Sequence, residues 1–466
     1  MLKGLSRVAA RTKNEKRSTR TCTYPCEAIV VPGYPRASQK GHSAMEMLRS
    51  QFSNPAYRFG SATIFLFFAA WGIWWSFYQI WLTSEAGGLQ LNGAQVGTVY
   101  AIQGAITMAL MLVYGVLQDK LDLKRPLTIF IGASATLIGP FTQFIYHPLL
   151  RDHFIVGAIL GSVVLSAGFV AGAGLLEAFV ERMANRTGFE YGQARMWGSF
   201  AYAIVALLAG IFFTINPMLN FWIGSALGAL LLCTQLFWHP KGTAQEASIE
   251  EVTAKTPPVS EMLGLLKDSH VWKVIVIVLL SWTFYTVFDQ QMFPDFYTSL
   301  FSSPEVGQRA YGTLNSVQVF LEAIMMGLIP LLMRKVGARN TLLLGIGVMF
   351  VRIFLCAAFG GPVLISIAKM LHAFEVPLCI LAIFKYFAIH FNKALSATLY
   401  LVAFQLSSQL GNVILSTPLG SLRDQIGYQS TFFVISGVVF VAGVIAVFAL
   451  KRDDEAVVNP EEIPTR

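Results

Sequence analysis

The sequence predicts an all-α integral membrane protein, with twelve transmembrane helices in two pseudo-symmetric six-helix bundles. Three observations predict it. The 466 residues are 55% hydrophobic and only 13% charged, where a soluble domain carries about 25% charged residues, and mean hydropathy is +0.58. Apolar runs recur twelve times along the chain, and a bilayer span needs about 20 such residues. Two basic turns, GVLQDKLDLKR (115–125) and PLLMRKVGARN (330–340), follow the second and the eighth run, at matching places in two halves. Such a parallel internal repeat is a feature of transporters.

The first six runs fall at about 58–82, 95–117, 126–147, 153–181, 192–214 and 217–239, each closed by a charged or turn-forming stretch. A mixed-charge segment with a proline pair, 240–270, then reads as a cytoplasmic linker. Six further runs follow at about 271–297, 311–333, 340–358, 361–389, 396–418 and 429–450, and a polar tail, 451–466, closes the chain. The N-terminal bundle is expected over 47–239 and the C-terminal bundle over 271–450. Thirteen Lys and Arg residues lie in one set of loops, and three (Arg151, Arg309, Arg423) in the alternate set. The richer set is expected to be cytoplasmic, which places both termini inside.

Residues 1–44 hold nine basic residues against two acidic, nearly the whole formal net charge of +8. The stretch lacks the apolar core of a secretory signal. It reads as a disordered extension over 1–46, or as a start assigned too early with initiation near Met45 or Met47; a transit peptide or a lipid-binding tail are further readings. Cys22 and Cys26 form a CxxxC without a partner pair or histidine cluster, so no metal site and no disulfide framework is expected. No P-loop, nucleophile elbow or zinc spacing occurs. The chain is expected not to be an enzyme, to need no cofactor and to bind no nucleic acid.

Charges inside apolar helices carry the functional signal, because each costs at least roughly 2.5–3.5 kcal/mol at the membrane centre. Glu177 and Arg195 lie on consecutive helices. A planar guanidinium beside a carboxylate can hold two hydroxyls, and Tyr202, two turns beyond Arg195, adds a ring face. The trio suits a neutral polyol such as a sugar; its second reading is a structural ion pair at a helix end. Asp289 and Lys369, of opposite sign in helices seven and ten, read as a structural charge pair. Lys369, His372 and Glu375 fall three apart in KMLHAFEVPLC (369–379), one slanted stripe on a helix. A carboxyl in apolar surroundings retains its proton more readily, and a nearby Arg favours release. His372, Glu375, Arg352 and Glu322 are therefore read as a proton-coupling group, against the alternative of a satisfied core histidine.

The motifs GIWWSFYQIWL (72–82), FEYGQARMWGSFAYA (189–203), TFYTVFDQQ (283–291), LNSVQVFLEA (314–323), KMLHAFEVPLC and LSTPLG (415–420) make the chain resemble the oligosaccharide:proton symporters of the major facilitator superfamily. The resemblance runs from about Met47 to about Leu450. It implies that Glu177 and Arg195 hold the sugar with Tyr202 stacked on its ring, that Glu375 carries the proton and Arg352 assists its release, and that His372 joins sugar to coupling. It also implies a charge pair between Asp289 and Lys369. Two positions depart from the lactose carriers of the family. Their second Asp–Lys pair is replaced by Thr286 and Ser408, both charges lost together. Their helix-eight Glu is replaced by Val319, with a carboxylate one turn on at Glu322, expected to bind sugar or couple. The implied activity is proton-driven import of a disaccharide, sucrose first, by a monomer in the lipid of the bacterial inner membrane. Another oligosaccharide (lactose, raffinose, maltose) or a polyol, and a non-transporting sugar sensor, are the alternatives. The two basic turns are expected to hold the inner ends of the bundles together.

Overall fold

A computed structural model describes residues 52–85, 87–121, 125–238, 264, 267–391 and 396–455. The basic extension with Cys22 and Cys26, nearly all of the linker, the centre of the first basic turn and the end of the tail lie outside the described residues.

Among the described residues, twelve long helices follow one another: α1 (Pro55–Thr83), α2 (Gly93–Leu121), α3 (Pro126–Asp152), α4 (Phe154–Thr187), α5 (Tyr191–Ile215), α6 (Pro217–Phe237), α7 (Ser269–Gln291), α8 (Pro304–Val336), α9 (Ala338–Ala358), α10 (Pro362–His390), α11 (396–426) and α12 (Tyr428–Ala449). Their starts are written locally. Asn54, Asn216 and Ser303 cap α1, α6 and α8, each with a proline next in sequence, which combines a side-chain acceptor with a residue that needs no N–H there. At α2 the Gln95 N–H donates to Asn92 Oδ1 (2.9 Å) and the Asn92 N–H to Gln95 Oε1 (3.0 Å), a reciprocal cap.

Among the described residues, eleven of these helices are long and apolar enough to cross a membrane. The exception is α11. Its middle carries Ser408, Gln409 and Asn412, and all three line an internal cavity rather than lipid. A polar stripe is tolerated at membrane depth where protein and water face it. Large apolar side chains exposed on α3, α4, α6, α10 and α12, such as Leu137, Val156, Phe237, Val363 and Phe448, supply the lipid-facing surface.

Several helices depart from regular α geometry, among them α3 with a π-helical turn at Thr142–Tyr146 and α11 with one at Tyr400–Leu406. The regular turns of α1 stop at Ser76 and Phe77, α4 carries a π-helical turn at Ser166–Val170, α7 another at Leu279–Thr283, and α10 passes through a turn at Leu371. The predicted seventh run reached 297, but α7 ends at Gln291 and resumes as one short helix, Phe293–Thr298, because the chain leaves helical geometry at Met292. Cavity-lining side chains come from α1, α2, α4, α5, α7, the short helix, α8, α10 and α11, and none from α3, α6, α9 or α12.

The two basic turns do equivalent work in the two halves. Arg125, just before α3, donates to the carbonyls of Gln235 (3.1 Å) and Trp238 (2.9 Å) at the end of α6. Arg339, at the start of α9, donates to the carbonyls of Leu450 (3.1 Å) and Val447 (2.5 Å) at the end of α12. Each guanidinium satisfies carbonyls that a helix end leaves without partners. Each clasp lies within its own half, so these described residues tie a bundle to itself and not to the other. Asp453 completes the second clasp: its carboxylate accepts from the Arg339 N–H (3.2 Å) and faces His390 Nε2 at 3.4 Å. Burial pushes this carboxyl up, but His390 and the N–H groups of Arg339 and Ala338 hold it below the usual carboxylate range.

The halves meet at the end where α2 begins and α11 finishes. A Cβ added to Gly420 would stand 2.0 Å from the Gly93 carbonyl oxygen, and one on Gly97 2.2 Å from that of Ser416. On the other seam, α5 against α8, a Cβ on Gly312 would stand 3.0 Å from Gly210 Cα. Small residues allow this backbone approach. This is the end that the loop charge bias leads one to expect outside.

Arg125→Gln and Arg339→Gln should each lower thermal stability in detergent, by about 1–3 kcal/mol for charge-assisted hydrogen bonds. Arg452→Gln, in the exposed Arg452–Asp454 pair, should leave it unchanged; a differential scanning measurement on all three compares them.

Candidate functional site: a charged cavity between the two halves

The cavity holds about 470 Å³, within the range of small-molecule sites. Its two walls differ. The N-terminal wall is aromatic, with Phe68, Trp71 and Trp75 from α1 and Tyr202 from α5, around a single guanidinium, Arg195. Arg195 Nε lies 2.5 Å from Glu177 Oε1 of α4. The guanidinium stacks over the Phe68 ring at 4.3 Å and reaches Ser199 Oγ at 3.3 Å. Both partners of the pair keep about a third of their side-chain surface exposed. Arg195 lines the cavity, whereas Glu177 stands behind it and orients it. Tyr202 sits in a notch left by Gly72, where a Cβ would come within 2.7 Å of its ring.

The C-terminal wall is polar. Asn315, Gln318 and Glu322 project from α8, Asp289 and Gln290 from α7, His372 from α10, and Ser408, Gln409 and Asn412 from α11. Behind it lies a charge cluster centred on Arg352 of α9, whose side chain is wholly buried. Arg352 donates to Asp289 and to Glu375 Oε2 (2.9 Å). Lys369 Nζ donates to Asp289 Oδ1 at 2.8 Å. Rings flank the cations: Arg352 lies 5.1 Å from the Phe288 and Phe293 centroids and Lys369 4.9 Å from that of Phe293. Two cations and two carboxylates thus balance within a shell of hydrogen bonds, the arrangement that makes burial of charge tolerable.

His372 joins this cluster to the cavity. Its Nδ1 is hydrogen-bonded to the Tyr285 hydroxyl and lies 3.4 Å from Glu375 Oε2, while its Nε2 faces Glu322 Oε2 at 3.9 Å. Gln318 Nε2 donates to the same Glu322 oxygen at 2.8 Å. The other Glu375 oxygen, Oε1, is buried and has no hydrogen-bond partner among the described residues. That oxygen is therefore free of any bond that an added hydrogen would displace.

The predicted residues are therefore brought together in two groups: Glu177, Arg195 and Tyr202 on one wall, and Asp289, Glu322, Arg352, Lys369, His372 and Glu375 on and behind the other. The stripe on helix ten crosses a turn at Leu371, where the backbone stays right-handed helical (φ −62°, ψ −26°). Lys369 Nζ and His372 Nδ1 both face Asp289 Oδ1, at 2.8 and 3.6 Å, and His372 Nδ1 also lies 3.4 Å from Glu375 Oε2. Asp289 and Lys369 are not an isolated pair, since Arg352 shares the Asp289 carboxylate. Thr286 and Ser408, the two positions without charge, both line the cavity, as do Val319 and Glu322. Charge-based reading missed Gln79, Gln290, Asn315, Gln318 and Asn412; an amide inside an apolar helix was the signal available for them.

A family model for the LacY proton/sugar symporter matches residues 49–463. The chain is 44% identical over 418 residues to the sucrose permease of Escherichia coli, spanning 90% of this chain and 99% of that one. It is 35% identical over 399 residues to the raffinose permease of Escherichia coli, spanning 85% of this chain and 92% of that one. The melibiose permease of Enterobacter cloacae is 33% identical over 404 residues, 86% of this chain and 94% of that one. Among solved structures, the nucleoside transporter NupG superimposes with a TM-score of 0.70 at 16% identity, over 85% of this chain and 99% of that chain, a likeness of fold. With a balanced buried charge cluster, a cavity between two six-helix halves and a family match over nearly its whole length, the chain is a multi-pass membrane transporter and not an enzyme, and belongs to the LacY proton/sugar symporter family.

Proposed function

We propose that the chain imports a disaccharide, sucrose first, together with a proton, by alternating access across the bacterial inner membrane. It works as a monomer surrounded by lipid, with both termini cytoplasmic and the proton gradient as its only energy source. One observation carries the reading: Arg352 is bonded to Glu375 behind the wall opposite Arg195, with His372 between that pair and the cavity. A proton on Glu375 would remove one of the two negative charges that neutralise Arg352 and Lys369. The cluster then carries an excess positive charge, and its bonds rearrange.

The cycle follows from that balance. Glu375 takes up a proton while the cavity faces out. Sugar then binds, with Arg195 held by Glu177 as a forked donor to two hydroxyls and Tyr202 against the apolar face of a ring. Glu322, His372 and Gln318 meet hydroxyls from the other wall, so a sugar is grasped by both halves and draws them together. The loaded carrier rocks inward and sugar leaves. Arg352 recovers its bond to Glu375 as the proton departs. The arrangement described here, closed at the end assigned to the outside and with Arg352 on Glu375, corresponds to the step after proton release.

Sucrose is favoured by the 44% identity to a sucrose permease and by the residue pattern at Val319 and Glu322. The raffinose and melibiose permeases among the relatives keep other oligosaccharides as competitors.

In a weakly buffered anaerobic suspension of cells making the protein, sucrose should turn the medium alkaline. Lactose, raffinose and maltose, added in turn, define the range, and no pH change with any sugar would overturn the proposal. Arg195→Ala should reduce sucrose binding at least about 100-fold, as for loss of a bidentate charged contact; tight binding retained in an equilibrium assay would remove Arg195 from the site. Glu375→Gln should leave sugar exchange across the membrane intact and abolish uphill uptake; concentrative uptake by this variant would take the proton off Glu375.

A further inference from the structure

At the outer end of the cavity, a second polar network joins the two halves. Its centre is Asp295, on the short helix that follows α7, nearly buried at 9% exposure. Asp295 Oδ2 accepts from Gln79 Nε2 of α1 at 2.7 Å, and Oδ1 from Thr83 Oγ1 of α1 at 2.7 Å. Arg423 of α11 holds its guanidinium 3.8 Å from Oδ2. The same guanidinium bonds Asp424 at 2.9 Å and lies over the Tyr428 ring at 5.2 Å. Asp424 in turn accepts from the N–H groups of Gly93 (2.8 Å) and Ala94 (3.0 Å) at the start of α2. Thus a carboxylate of the C-terminal half is served by two donors from the N-terminal half, and a second carboxylate caps a helix of that half.

Gln79 is the inner member of this network. It lines the cavity together with Pro294, the residue before Asp295. Its Nε2 is used by Asp295, while its Oε1 is buried and without a hydrogen-bond partner among the described residues. A buried unpaired acceptor is unusual and costly. It would be satisfied by a hydroxyl arriving from the cavity. Because Oε1 is shielded, the amide must turn toward the cavity to meet that hydroxyl, and the turn withdraws Nε2 from Asp295.

We propose that Gln79, Thr83, Asp295 and Arg423 form an outer latch between the halves, and that Gln79 is a sugar-contacting residue through which an occupied cavity loosens the latch. The sugar part rests on the function proposed above; the latch does not. Water solvates the same groups once the halves part, so the latch biases the closed arrangement without making it permanent.

The test uses full-length protein in right-side-out membrane vesicles. The five native cysteines are replaced by alanine and Thr98 by cysteine. Thr98 lies on α2 against Thr417 of α11, 3.3 Å away across the seam, and does not line the cavity. A membrane-impermeant maleimide then reports opening on the outside. Without sugar, Asp295→Leu and the doubly apolar Asp295→Leu/Gln79→Leu should label about tenfold faster than the parent, the effect of losing one charge-assisted hydrogen bond. The double variant leaves no amide unpaired, and Asp295→Asn guards against a folding defect by giving an intermediate rate. Labelling of all three at the parental rate overturns the latch. Sucrose should accelerate labelling of the parent but not of Gln79→Leu. A sucrose response retained in Gln79→Leu overturns the link through Gln79. If sucrose neither binds nor accelerates labelling in the parent while the latch variants still label faster, the transport proposal fails and the latch stands.

Discussion

Arg352 has no exposed side-chain surface, and it cannot lose its charge. Everything around it follows from that. A lone guanidinium at this depth would be expelled, so Asp289 and Glu375 must both be present and both ionised in this arrangement. Lys369 then needs Asp289 as well, which leaves the cluster neutral with no carboxylate to spare. A device of this kind is stable in one charge state and unsettled by a single proton. The same cluster therefore serves as a structural centre for α7, α9 and α10 and, in the function proposed here, as the place where the proton acts.

The fold places this cluster where it can be felt. Helices α3, α6, α9 and α12 contribute nothing to the cavity wall, and α3, α6 and α12 turn large apolar side chains to lipid. The wall comes from the remaining helices, and α1, α4, α7, α10 and α11 among them depart from regular α geometry. Lys369 and His372, on either side of the turn at Leu371, both reach Asp289. Arg352 is the one member of the cluster carried by an outer helix, and it reaches inward between α7 and α10. The Arg125 and Arg339 clasps keep each half a unit, so movement is confined to the seams between halves.

The spans were legible because hydrocarbon demands long apolar runs, and even α11, too polar by composition, was recognisable from its place in the repeat. Ends were less so. The eighth run was predicted from 311, whereas α8 begins at Pro304; the first turns, PEVGQRA, are polar because they stand at the water-facing end. The serine and proline at 303 and 304 were the better signal. The charged site residues stood out because each is expensive in an apolar helix, and Glu177 with Arg195 and Asp289 with Lys369 lie within ion-pair distance. The π-helical turns and the role of Arg352 as a shared partner were not legible, since they depend on packing between helices far apart in sequence. Gln79 was hidden in an aromatic stretch, WWSFYQIWL, where composition points to packing and a single amide carries no charge to betray it.

The seam between α2 and α11 is built on glycine: Gly93 and Gly97 lie on the backbone at Gly420 and Ser416. Side chains that interlock have to change rotamer before two surfaces separate, and each such change adds friction. Backbone laid on backbone has nothing to unpick. The seam can part and re-form as two smooth faces, with its timing governed by a few hydrogen bonds at the rim and not by repacking. A carrier built this way can combine a tightly shut outer face with rapid turnover, because closeness of fit and slowness of release have been uncoupled.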